Sequence, residues 1–297
     1  MKTKLRYWKH FLICLTAILP LLHPAPLPAG PAVQVSFTPE TIKQGDVLLI
    51  TVKAGPEIHT ISGILFDKTI RFYRNPGSDA YTALAGIDLN TDPKRYTLSL
   101  SLEDKSSSVI KKDVEIQVAS ADFRTQQLTL PKEKVDLDEE TLKRVNLEKE
   151  EIDKIWDIST AGPLWEGNFM KPVEGVIDDN FGFRRIINGE PRSPHTGIDI
   201  DAPEGAPVYA ANQGRVVFTG EQFFSGKGLV IDHGLGLLTM YFHLSEILVT
   251  EGEGVKKGQV IARVGKTGRA TGPHLHWGIR LNGARVNPAS MLNLSLE

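Results

Sequence analysis

Residues 272–280 read GPHLHWGIR. A Gly-Pro turn followed by alternating apolar residues predicts a strand. Residues i and i+2 of a strand point to one face, so His274 and His276 present both imidazoles together while Leu275 points to the other side. Paired imidazoles share a proton or a metal. A second segment, HTGID, sets His195 and Asp199 four residues apart. Pro194 and Gly197 exclude a helix there, and in an extended segment the two side chains share a face. With one histidine of the first motif, this makes a set of two imidazoles and one carboxylate. Three N and O ligands with a fourth position open is the arrangement of catalytic zinc, at one ion per chain. The only cysteine, Cys14, lies in an N-terminal apolar run, so a structural thiolate site is excluded. His243, in MYFHLS, adds another imidazole. Two histidines beyond the ligand set supply the proton transfers that metal-assisted hydrolysis needs.

The elements that must position these residues are strands. From about residue 171 to 297 the chain is β-rich and glycine-spaced, with runs such as GLVIDHG and LLTMYFHL, and it holds five of the eight histidines. Residues 31–120 alternate with period two in VQVSF, LLITV, YTLSLSL and VEIQV, separated by the turn-formers KQGD, NPGSD and NTDPK. This pattern predicts an antiparallel β-sandwich of immunoglobulin-like type. Residues 121–170 read as a helical connector, with Asp136 and Glu139 spaced as a capping box. Residues 1–30 carry Lys2, Lys4, Arg6 and Lys9, then an apolar run, then HPAPLPAG. That layout is an export signal, broken by prolines too often for a membrane helix, and it leaves no membrane span after cleavage. Its removal takes away four positive charges and moves the formal net charge from −2 to −6. Nucleic acid is therefore not a partner. The expected location is the periplasm or cell envelope.

HTGID, IDHGLGLLTMYFHLS, VKKGQVIARVGKTG and TGPHLHWGIR, in this order, resemble the lysostaphin/LytM-type zinc metallopeptidases, which cleave peptide cross-links of bacterial peptidoglycan. The resemblance spans residues from about 172 to 290. It implies an antiparallel β-sheet with a loop-walled groove and a zinc metallopeptidase domain over residues 171–297. It implies His195, Asp199 and His276 as zinc ligands, and His274 and His243 as the catalytic pair. Which of that pair is base and which stabiliser stays open. The substrate it implies is the peptidoglycan stem peptide and its cross-links. FTPETIKQGD, in the sandwich, is similar to N-terminal domains that accompany this peptidase in exported bacterial proteins. Such a domain binds the wall, docks a cell-envelope regulatory partner or shields the groove.

Two other readings compete. A catalytically silent member of the family would bind the wall and activate another hydrolase, but all five positions are occupied here. GVKKGQVIARVG resembles the glycine-spaced hairpin of a lipoyl-type carrier, which gives no reason for the histidines. His233, before two glycines in IDHGLG, reads as a turn or packing residue, and His59, alone on a strand, as structural.

Overall fold

The computed structural model describes residues 33–74, 77–132 and 135–296. The export leader expected over residues 1–30 lies outside the described residues. Among the described residues, no helix is long and apolar enough to cross a membrane.

The first nine strands are β1 (Gln34–Thr38), β2 (Ile42–Lys43), β3 (Val47–Lys53), β4 (Ile58–Leu65), β5 (Lys68–Arg71), β6 (Tyr73–Arg74), β7 (Ala80–Gly86), β8 (Arg95–Asp104) and β9 (Val109–Ala119). They form two sheets, ordered β1-β3-β7-β6 and β2-β9-β8-β4-β5. The short β2 runs parallel to β9, and the other pairings are antiparallel. Alternation sets the layers. In β8, Leu98, Leu100 and Leu102 are buried while Thr97 and Ser99 face solvent, and the leucines meet Leu48, Ile50 and Val52 of the opposite sheet in one core. The Tyr96 hydroxyl, near the start of β8, donates to the Asp92 carbonyl four residues upstream at 3.0 Å.

The connector is not helix alone. It opens with β10 (Thr125–Leu128), which pairs parallel with a strand of the C-terminal part. The helix α1 (Glu139–Ile155) follows, capped by Asp138, whose carboxylate accepts from Thr141 N at 2.7 Å. The cap therefore lies two residues beyond the expected Asp136, and the chain turns helical only where Asp138 can satisfy a free amide of the first turn. Ile152, Ile155 and Trp156 pack with Phe218, Val230, Leu238 and Met240, which fastens the helix to the C-terminal sheet.

That part contains β11 (Val176–Asp178), β12 (Arg184–Ile187), β13 (Glu190–Arg192), β14 (Gly197–Asp201), β15 (Pro207–Tyr209), β16 (Gly214–Gln222), β17 (Gly226–Asp232), β18 (Leu237–Ile247), β19 (Gly254–Val255), β20 (Val260–Val264), β21 (His274–Leu281) and β22 (Ala284–Val286). The main sheet runs β11-β14-β21-β18-β17-β16-β19, with β15, β20 and β22 attached to it. A separate small sheet, β10-β12-β13, joins the connector to the loop before β14.

The two β layers share a core. Val47, Leu84 and Leu89 of the sandwich belong to the same buried cluster as Ile200, Ile279 and Val286. A methyl group on Gly86 would sit 2.9 Å from the Leu281 carbonyl, so glycine is what lets β7 come this close to β21 and β22. Arg285 closes the contact: its guanidinium reaches both oxygens of Asp88, at 2.7 and 3.0 Å.

Candidate active site

Strand alternation assigns the two faces of the main sheet. In β21, Leu275, Trp277, Ile279 and Leu281 are buried on one side, so His274 and His276 lie on the other. Ile198 and Ile200 of β14 are buried in the same way and leave Asp199 opposite. Asp199 is the direct antiparallel partner of His276, and Asp201 that of His274. On the other flank of β21, Phe242 of β18 pairs with His276, and the two rings stack with centroids 5.9 Å apart.

His243 would point away from this face if β18 were regular. Tyr241 and Leu244 pair with Leu229 and Lys227, so three steps on β18 match two on β17. The extra residue is a bulge, and His243 has φ of +63°, a left-handed backbone that costs a non-glycine residue about 1–2 kcal/mol. The bulge turns its ring to within 4.8 Å of His274 and 6.0 Å of His276, centroid to centroid. Its amide donates to the Ser225 carbonyl at 2.9 Å.

Three atoms converge at the centre. His195 Nε2 lies 2.8 Å from His276 Nδ1 and 3.2 Å from Asp199 Oδ1. His276 Nδ1 lies 3.0 Å from the same oxygen. A carbonyl can only accept, so the 3.1 Å contact from His195 Nδ1 to the Asn180 carbonyl places the hydrogen on Nδ1 and leaves a lone pair on Nε2. His195 Nε2 and Asp199 Oδ1 thus both turn a lone pair toward His276 Nδ1. The separations fit one cation, since tetrahedral donors held ~2.0–2.1 Å from zinc are roughly 3.3 Å apart. These are the three residues of the described chain that group as a metal set. Gly197 makes the packing possible, because a Cβ there would lie 2.5 Å from the Trp277 carbonyl and 2.8 Å from His276 Nε2.

The other two imidazoles are held in one tautomer. His243 Nδ1 donates to the Thr267 carbonyl and His274 Nδ1 to the Gly272 carbonyl, each at 2.9 Å. Both therefore leave Nε2 as the ring nitrogen free of a backbone partner, and that of His274 is 3.8 Å from Asp199 Oδ1.

Electrostatics follow burial. Burial lowers His195 to about 4 against the pull of Asp199. Burial, then the neighbouring His276 and His274, lowers His243 to about 3. Both are neutral near pH 7. Burial pushes the Asp199 carboxyl up, but the imidazoles of His195 and His276 together outweigh it and hold the group well below the usual carboxylate range.

Sequence reasoning missed Asn180. Its amide donates to Asp199 Oδ2 at 2.9 Å, and its side-chain oxygen accepts from Asp199 N at 3.3 Å. No motif marks it. His233 is buried, with Nδ1 on the Gln213 carbonyl at 2.7 Å and Nε2 on the Thr239 hydroxyl at 2.8 Å. His59 is exposed on β4. The groove above the five residues is lined by Gln126, Leu128 and Arg185 on one side and by Phe224 and Arg269 on another.

Residues 193–288 match the model of peptidase family M23. A crystal structure of a peptidase M23 from Pseudomonas aeruginosa aligns with 84% of this chain and 94% of its own at 31% identity, with a TM-score of 0.66. The chain belongs to peptidase family M23. Two curated relatives are similar over the M23 segment. The DD-carboxypeptidase/endopeptidase Mpg of Neisseria meningitidis is 48% identical over 115 residues, 39% of this chain and 26% of its own length. The peptidoglycan DD-endopeptidase ShyA of Vibrio cholerae is 45% identical over 112 residues, 37% of this chain and 26% of its own length. The match thus spans about a quarter of each relative. The M23 segment contains His195, Asp199, His243, His274 and His276, whereas Asn180, Arg185 and β10 lie upstream of it. Part of the M23 groove is therefore built by chain outside the family match.

Proposed function

We propose that this chain is an exported zinc endopeptidase that hydrolyses peptide cross-links of bacterial peptidoglycan. The observation that carries the reading is the convergence of His195 Nε2, Asp199 Oδ1 and His276 Nδ1 within 3.2 Å of one another. These three would hold one zinc ion. Bound there, zinc would supply a Lewis acid that polarises a peptide carbonyl and acidifies a water. Asn180 fixes the orientation of both Asp199 and His195. His274 and His243, each with Nδ1 on a backbone carbonyl and Nε2 free of one, are the groups that accept a proton and return it to the leaving amine. Their backbone carbonyl partners hold both rings in position for this. The names of the relatives support a D-alanyl bond in directly cross-linked stems, and a glycyl-glycine bond belongs to walls that use glycine bridges.

The same reading divides the chain into an export leader (1–30), a sandwich (31–120), a connector (121–170) and a peptidase domain (171–297), with a destination in the cell envelope. The sheet orders β1-β3-β7-β6 and β2-β9-β8-β4-β5, together with the hydrogen bond from Tyr96 to the Asp92 carbonyl, support an immunoglobulin-like sandwich, in which a tyrosine at the matching strand start makes such a bond. The silent-module alternative loses ground because no site position is vacant. Digestion of purified sacculi, with the released peptides identified by mass, tests the function. Release that stops with chelator and returns with zinc is the expected result, and undiminished release in excess chelator would overturn it.

A further inference from the structure

The groove contains more positive charge than catalysis by the histidines needs. Arg185, on β12, and Arg269, on the loop before β21, both line it, and among the described residues Asp199 is its only acidic lining residue. Asp199 is already committed to His195 and His276. Arg185 Nε is out of contact with solvent and has no hydrogen-bond partner. Among the described residues, neither arginine is in an ion pair. Their neighbourhood adds to the imbalance, because Arg185 is the direct cross-strand partner of Arg192, and like charges so placed are destabilising. Arg192 is relieved by Glu190 at 3.5 Å; Arg185 feels the charge of Asp199 but makes no ion pair with it. Arg269 is held in plane by Phe224, with its guanidinium carbon 4.3 Å from the ring centroid. A stacked guanidinium keeps its fork of donors fixed and loses little freedom when it binds.

A buried polar group such as Arg185 Nε is costly to leave without a partner. A planar fork beside a second guanidinium matches a carboxylate, which takes two parallel N–H···O bonds. We propose that Arg185 and Arg269 form a carboxylate subsite of the groove, which selects peptides bearing a free carboxyl next to the scissile bond. This rests on the hydrolase reading above for the nature of the ligand, but not for the site itself. The subsite uses residues from both sides of the groove. One of them, Arg185, is placed by the strand that β10 pairs with, since Gln126 is its parallel neighbour.

The test compares two D-alanyl–diaminopimelyl cross-linked peptide dimers on the zinc-loaded full chain. One has the free carboxyl beside the scissile amide and the other has that group as carboxamide. Titration calorimetry should show the acid bound at least ~10-fold more tightly, with the gap narrowing as salt rises, and kinetics should place the same ratio in KM more than in kcat. Arg269→Gln should bring the acid down to the level of the amide and leave the amide within about twofold, while Arg269→Lys keeps part of the preference. Arg185→Gln should act in the same direction, and if its zinc content shows that it misfolds, Arg269→Gln decides. Equal binding of the two dimers by the wild type, or an equal loss for both in Arg269→Gln, overturns the proposal. A preference for the acid without cleavage of either dimer supports the subsite and removes the hydrolase reading. Cleavage of both without preference does the reverse.

Discussion

Asn180 clasps Asp199 at two points: its amide donates to Oδ2 at 2.9 Å and its side-chain oxygen accepts from the Asp199 backbone amide at 3.3 Å. Groups that orient a ligand in this way typically contribute 10–100-fold to metal affinity. Asn180→Ala should therefore weaken zinc binding by about that factor with the sheet intact. Competition against a chromophoric chelator measures it, and unchanged affinity would remove Asn180 from the assembly.

His276→Ala removes one of three donors, so zinc should be lost or held far more weakly, and activity with it. His274→Ala and His243→Ala leave the donor set whole. Zinc should stay near one per chain while turnover falls roughly 10²–10⁴-fold, the contribution of a positioned acid or base. Zinc loss in His274→Ala with retention in His276→Ala would reverse the roles.

Gly197→Ala places a methyl group 2.5 Å from the Trp277 carbonyl and 2.8 Å from His276 Nε2. Either β14 and β21 separate or the His276 ring moves. The expected outcome is a loss of stability of about 1–3 kcal/mol, as for other overpacked sites, accompanied by weaker zinc binding. Denaturant unfolding and metal titration read the two effects separately.

His233 is buried neutral, and burial lowers it to about 4. The unfolded chain takes up a proton near pH 6.5, the folded one only near 4, so the unfolded state binds more protons between those values. Stability should be full above about pH 6.5 and fall toward pH 4, by on the order of 3 kcal/mol from this residue. His195 and His243 slope the same way. Subtracting the pH profile of His233→Gln from that of the wild type, both treated with chelator, isolates the residue, and parallel profiles would contradict the assignment.

The sequence made the alternation around Leu275 legible, because period two in HLHWGIRL fixes both faces of β21 without any knowledge of its neighbours. The HTGID pair was legible for the same reason. His243 was visible as a residue but not as a direction. Regular alternation would send it opposite Phe242, and only pairing with β17 reveals the bulge that turns it back. Asn180 left no trace at all, since its contacts with His195 and Asp199 span 15 and 19 residues of chain, and Arg185 left none because its place in the groove belongs to no local pattern. β10 was hidden in a segment whose charge pattern spoke for helix, and its strand character depends on β12 offering an edge.

The pairing of Asp199 with His276 joins positions 77 residues apart, and β21 lies between β14 and β18 in the sheet. A chain assembled only as far as residue 273 has both flanking strands but not the one that unites them. Closing so long a loop is slow compared with forming the local hairpin of β16 and β17. Before that closure His195 and Asp199 supply only two of the three donors, so the full set of His195, Asp199 and His276 exists only once β21 is inserted.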